Sequence, residues 1–425
     1  MSAAHSFGGG VIGGVTAGSY SPVMRILHTA DWHVGRLIRG RSRADEHRAV
    51  LAEIAAIAAD ERVDLVIVAG DLFDTAAPSA ESERIVYAAL LALAATGATV
   101  VVLAGNHDSD RRLQAVAPLL ELGRVVTRPV FARPDQGGLV EVRARDGAST
   151  ALVACLPFLS QRYVVRADEL MSQDADRSSQ QYAERVQRLL AALTTGFRHD
   201  TVNVVAAHAM VVGATIAGSE RLAHTVFEYS ISAAAFPVAA HYVALGHLHR
   251  PQRIAGPCPV HYSGSPLQLD FGEAGEDKSI LIVDASPGRP ARVTAVPLRA
   301  GRRLRVLHGT LGELRAVAGT TGADHLRVHL HEPLRVGLAD DVRALFPCAV
   351  DVIVERSDDD PRAPGERPPN AERSPQELFA AYLDERGLAD ARLVDLFDEL
   401  WTELADGLAD GPADGRADAP PARLP

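Results

Sequence analysis

Short apolar runs alternate with longer stretches of helical periodicity along most of this chain. Runs of strand length fall at 25–30, 65–70, 99–104, 151–156, 202–207, 242–246, 260–263 and 279–284. Apolar residues recur at helical spacing over 43–60, 79–95, 111–122 and 178–195. The first three runs are separated by amphipathic segments, which predicts βαβ units and an α/β fold with a mostly parallel sheet. The central runs are apolar on both faces, as in a sheet covered on both sides. A smaller β-α-β-α-β module follows, with strands near 303–308, 325–330 and 349–354 and helices near 311–318 and 338–345. In the helical stretches at 79–95 and 111–122, Ile85, Ala89 and Leu93 and then Leu113, Val116 and Leu120 form apolar stripes, suited either to packing on their own sheet or to a dimer surface.

The ends of the chain read differently. Residues 1–23 are rich in Gly, Ala and Ser, with no basic residue before Arg25, and are expected to be a disordered leader; Met24 is a candidate start. Residues 356–373 are crowded with Asp, Arg, Pro and Glu and read as a linker. Two amphipathic helices are expected over 374–405, with Ser374 as N-cap and Pro375 at the first helical position. Leu378, Phe379, Tyr382 and Leu383 form one apolar face, and Leu393, Leu396, Phe397, Leu400 and Trp401 a second. Tethered helices of this kind suit docking to a partner's groove. Residues 406–425 read as a disordered acidic tail.

Composition narrows the class. At 425 residues, two or three domains are expected. No run approaches the ~18 uninterrupted apolar residues of a membrane helix. Cys155, Cys258 and Cys348 are few and far apart, which fits a reducing cytoplasm and argues against a disulfide framework or a cysteine-type zinc site. The net charge of −11 resides entirely in residues 351–425, which hold 19 acidic residues and 8 arginines. The rest is neutral overall, so any nucleic acid must be met by a local patch. Lys278 is the single lysine, so phosphate contacts would fall to arginine; Arg36, Arg39, Arg41 and Arg43 cluster where they can line a DNA groove.

The candidate chemistry lies in five short segments: Asp31-Trp32-His33, Gly70-Asp71-Leu72-Phe73-Asp74, Gly105-Asn106-His107-Asp108, Ala207-His208 and Gly246-His247-Leu248-His249. Each follows an apolar run, where open α/β sheets present their ligand crevice. Singly, most of these are ordinary turn chemistry or a core histidine. Together they aim imidazole, carboxylate and amide oxygen at one edge, which is costly unless the groups are paired or bind metal. Such donors, without thiolate, suit Mn, Fe, Zn or Mg, and suffice for two ions. Asp71 is the natural bridge. Two divalent ions carry more charge than Asp31 and Asp71 cancel, so the site would attract a phosphodiester. The pair His329 and His331 alternates on a strand, but no neighbouring motif supplies a carboxylate or cysteine for it.

The ordered set Asp-x-His, Gly-Asp-x-x-Asp, Gly-Asn-His-Asp, His, Gly-His-x-His resembles the calcineurin-like metallophosphoesterases. The segments MRILHTADWHVGR, VAGDLFDTAAPS, LAGNHDS, ALGHLHRPQ, VHYSGSPLQLDFGE and SPQELFAAYLDERG are similar to the SbcD nuclease branch of that superfamily, from Met24 to about residue 405. The resemblance implies a β-sandwich flanked by helices over 24–285, a capping, DNA-binding domain over 286–355, and helices at 374–405 that bind the coiled-coil ATPase SbcC. It implies two Mn²⁺ ions, with Mg²⁺ or another divalent ion suiting the same ligands. Asp31, His33 and His249 would hold one ion, Asn106, His208 and His247 the other, and Asp71 would bridge them. His107 would act on the phosphate, with Asp74 orienting it. The implied activity is 3′→5′ exonuclease action on duplex ends and endonuclease cutting of single strands and hairpins, in repair, recombination and replication. The implied assembly is a homodimer within a heterotetramer, cytoplasmic and nucleoid-associated. A phosphatase or phosphodiesterase for a small molecule or phosphoprotein shares the fold and metals and stands as the alternative.

Overall fold

The computed structural model describes residues 23–160, 175–217, 230–333, 335 and 337–355, together with 379, 383, 392–394, 396 and 397. Residues 1–22 of the leader, the linker, nearly all of the 374–405 segment and the tail lie outside the described residues.

Two six-stranded sheets face one another. The first runs, in spatial order, Arg289–Pro297, Ser279–Ser286, Met24–Thr29, Leu65–Val68, Thr99–Leu103 and Val125–Arg128. Its last four strands are mutually parallel, and the strand Ser279–Ser286 pairs antiparallel with Met24–Thr29. The second runs Gln252–Ile254, Val260–Tyr262, Tyr242–Gly246, Val202–His208, Thr150–Leu156 and Leu139–Arg143. Strand alternation sorts the apolar side chains. Ile26, Leu65, Ile67, Val101 and Leu103 meet Val153, Val204, Ala206 and Ala244 between the sheets. Leu27, Val66, Val68, Val100 and Val102 turn outward to a second core that the helices Ala44–Asp60, Ala80–Ala95 and Asp110–Glu121 cover. On the far side, Tyr182, Val186, Leu190 and Leu193 of the helix Ala175–Leu193 cover Val205, Val243 and Leu245. The β-sandwich flanked by helices is therefore the architecture.

Several elements depart from the sequence reading. The strand Arg289–Pro297 pairs with Ser279–Ser286 along its length, so the first sheet runs past residue 285 and the small module begins after Pro297. The strands Leu304–Gly309, His325–Leu330 and Ala349–Val354 form that module's parallel sheet, with the helices Leu311–Val317 and Leu338–Leu345 packed on it. Ile85, Ala89, Leu93, Leu113 and Leu120 are buried in their own domain's core and Val116 packs partly against it, so these stripes are not a dimer surface. The large apolar side chains that these helices leave exposed are Leu91, Leu119 and, just past the second, Leu122. Arg43 is also no groove residue: it is buried, bonded to the Glu46 carboxylate and to the carbonyl oxygens of Gln268 and Arg302. Arg39 pairs with Asp351, and Arg41 donates to the Ala349 carbonyl oxygen.

Candidate metal centre

The five motif segments meet where both sheets end. Asp31 and His33 follow the strand Met24–Thr29, Asp71 and Asp74 follow Leu65–Val68, and Asn106 and His107 follow Thr99–Leu103. His208 closes Val202–His208, and His247 and His249 follow Tyr242–Gly246, both in the second sheet. The ligand edge is thus a seam between two sheets. Backbone hydrogen bonds lace the first sheet's loops together: Asp31 N–H to Gly70 O at 3.0 Å and His33 N–H to Asp71 O at 3.0 Å. The His247 N–H donates to Asp31 Oδ1 at 2.9 Å, and the His107 N–H to Asp71 Oδ1 at 2.8 Å. Gly105 is required by this closeness, since a Cβ there would stand 2.1 Å from Asp71 Oδ1.

The side chains fall into two groups around Asp71. In the first, Asp31, His33 and His249 bring one donor atom each within 4.8 Å of one another. His33 Nε2 lies 3.0 Å from His249 Nε2 and 3.5 Å from Asp71 Oδ2. In the second, Asn106 Oδ1 lies 3.0 Å from His208 Nε2 and 2.9 Å from His247 Nδ1. Asp71 Oδ2 is also 3.4 Å from His208 Nε2, so one carboxylate oxygen faces both groups. His208 Nδ1 donates to the Ala69 carbonyl oxygen at 2.7 Å, which fixes the tautomer and turns the Nε2 lone pair inward. Phe158 stacks on His247 and walls this side with an apolar ring.

Burial and charge oppose each other here. Burial resists ionisation of Asp71, yet His208, with His33 and His107, outweighs it and holds the carboxylate well below its ordinary range. Burial pushes Asp31 up to about 7, with His208 and His249 only partly offsetting it. Burial likewise lowers His33 to about 4. Asp31 Oδ2 is buried and makes no hydrogen bond, an arrangement that is costly without a compensating charge. A divalent cation supplies that charge, and the nitrogen and oxygen donors, with no sulfur among them, suit such an ion. The residues present therefore fit the metals expected from the sequence.

His107 stands beside the donors, its ring edge-on to His33 at 4.5 Å. Its Nδ1 lies 2.8 Å from the Asp74 carbonyl oxygen, so Asp74 meets His107 through the main chain. The Asp74 carboxylate is 3.5 Å from His33 Nδ1 and 3.3 Å from Arg36 Nη1. Three contributors escaped sequence reasoning. Asp108 is buried and accepts from the backbone N–H groups of Leu72, Phe73 and Gly105, tying two ligand loops together. Its place as the last residue of Gly-Asn-His-Asp was the available signal. Glu273 lies 3.5 Å from His249 Nδ1 and 2.6 Å from Lys278 Nζ, and so orients a ligand ring from a distant loop. Phe158 carried no signal in a lone aromatic after a strand.

Comparison with known proteins agrees with this geometry. The profile of the calcineurin-like phosphoesterase family matches residues 24–251. The chain is 39% identical over 292 residues to the SbcD component of the SbcCD nuclease of Bacillus subtilis strain 168, covering 66% of this chain and 71% of that protein. It is 37% identical over 288 residues to the protein of that name from Rhodobacter capsulatus, covering 64% and 69%. Against the Escherichia coli K12 counterpart the figures are 32% over 305 residues, 69% and 73%. The chain belongs to the calcineurin-like phosphoesterase family, in its SbcD branch.

Proposed function

We propose that this phosphodiester-hydrolysing nuclease is the manganese-dependent DNA-cutting component of an SbcC–SbcD complex. It acts as a 3′→5′ exonuclease on duplex ends and as an endonuclease on single strands and hairpins, in repair and recombination. The observation that carries the reading is the seam itself: seven metal-type donors from five strand ends, with one further histidine held beside them. Asp31, His33 and His249 would hold one ion and Asn106, His208 and His247 the other, with Asp71 between. When bound, the ions supply an activated water and neutralise charge on the phosphate.

The chain's own residues do the rest. Nδ1 of His107 donates its proton to the Asp74 carbonyl oxygen, leaving Nε2 to meet the substrate. A proton on Nε2 can pass to the departing 3′ oxygen, which makes His107 the general acid. Asp74 and Glu273 hold the outer nitrogens of His33 and His249 and keep their rings aimed inward. Among the described residues no helix is long and apolar enough to cross a membrane, in keeping with a cytoplasmic, nucleoid-associated place of action. SbcC would dock on the amphipathic segment 374–405, where Phe379 stacks on Phe397 at 4.3 Å. Two copies would pair, giving a homodimer within the heterotetramer.

Incubation with a DNA hairpin and with p-nitrophenyl phosphate, in Mn²⁺ and in Mg²⁺, tests the reading. Hairpin opening in Mn²⁺, increased by SbcC and ATP, is expected. Turnover of p-nitrophenyl phosphate with the hairpin left intact would favour a small-molecule phosphatase instead.

A further inference from the structure

The small sheet carries donor atoms that the catalytic reading leaves unused. Its first two strands are parallel, with His308 directly beside His329. Alternation turns Leu326, Val328 and Leu330 into the module's core and leaves His329 on the opposite face. His331 follows two residues later. The rings of His308 and His329 stack at 4.6 Å with 23° between their planes, and His331 lies 6.3 Å from His308. Glu355, just beyond the third strand, reaches both neighbours: Oε1 is 2.6 Å from His329 Nδ1 and Oε2 is 2.8 Å from His331 Nε2. One donor atom each from His308, His329 and Glu355 lies within 4.8 Å of the other two.

Imidazole nitrogens and a carboxylate thus converge on one small volume. A cation placed there draws on His308, His329 and Glu355, with His331 held beside them by the same carboxylate. Nitrogen-rich donors of this kind select Zn²⁺ over Mg²⁺ or Ca²⁺, which prefer oxygen. We propose that His308, His329, His331 and Glu355 form a zinc site on the face of the small sheet opposite its helices, built from residues distinct from the catalytic ligands. Glu355 is the last residue of its compact unit, so zinc would pin the point where the chain leaves that unit for residues 356–425.

The test is zinc content of the full-length protein, stripped of metal and dialysed against micromolar Zn²⁺. Wild type should retain one more equivalent than the double variant His308→Asn/His329→Asn. Glu355→Gln should weaken that equivalent by about tenfold or more, the usual cost of a lost carboxylate partner. Manganese-dependent hydrolysis should be unchanged in both variants, which also reports that they are folded; if the double variant does not fold, Glu355→Gln decides. Equal zinc in wild type and variants would overturn the proposal, as would an extra equivalent retained only at millimolar zinc.

Discussion

Asp31, His33, Asp71 and His247 all have positive φ, at 53°, 47°, 54° and 107°. They are four of the seven non-glycine residues with that conformation among those described. Such backbone costs on the order of 1–3 kcal/mol per residue and persists where surrounding contacts fix it. Here those contacts are the cross-loop hydrogen bonds and the buried Asp108. Asp71 holds the most of them, since Oδ1 takes the His107 N–H while Oδ2 faces His33 and His208. Asp71→Ala should therefore release both ions and abolish hydrolysis. His107→Ala removes no proposed ligand and should keep its metal while activity falls ~10²-fold or more. Elemental analysis beside a rate measurement separates the two, and a His107→Ala protein lacking both ions would end the general-acid assignment.

The helix Ala44–Asp60 does more than cover a sheet. Its Glu46 carboxylate takes the Arg302 N–H at 2.9 Å and meets His325 at 2.8 Å and Arg43, fastening the small sheet to the sandwich. Burial alone would raise the Glu46 pKa; the bonds to His325 and Arg43 reverse this and hold it at about 2. A carboxylate with a depressed folded pKa stabilises the fold above its ordinary value and loses that contribution as pH falls through the folded one. Wild type should thus lose its stability advantage over Glu46→Gln between pH 4.5 and about 2, as followed by thermal unfolding. A constant difference between the two across that window would show that the network carries no such linkage. Arg43 also marks where sequence reading stops. Its partners at 268 and 302 are brought to it only by folding, so four arginines in a row of loops looked alike. The strand Arg289–Pro297 was equally hidden, because its exposed edge mixes arginine, proline and valine without a clean alternation. The ligand-bearing strands were legible for the opposite reason: they are buried on both faces, and each ends in the polar motif that its position requires.

Leu91, Leu119 and Leu122 are 46%, 71% and 86% exposed, and Leu91 lies against Gly123 at the end of the helix that carries Leu119. An apolar patch of this kind suits a twofold contact, in which each copy offers the same surface. Leu119→Arg with Leu122→Arg should convert a homodimer to a monomer at micromolar concentration, as read by light scattering. A monomeric wild type would remove the patch from the assembly. The seam between the sheets has a consequence of another kind. Asp31 and His249 stand more than two hundred residues apart in the chain, and neither sheet holds a complete set of donors. Anything that binds only the closed sandwich stabilises it, by ~2.7 kcal/mol at a hundredfold excess over Kd. The cation then acts as a clasp on the fold, and a chelator should loosen the whole domain as well as silence it. A chain whose halves have parted has no assembled donor set, so hydrolysis is available only to a copy that has finished folding.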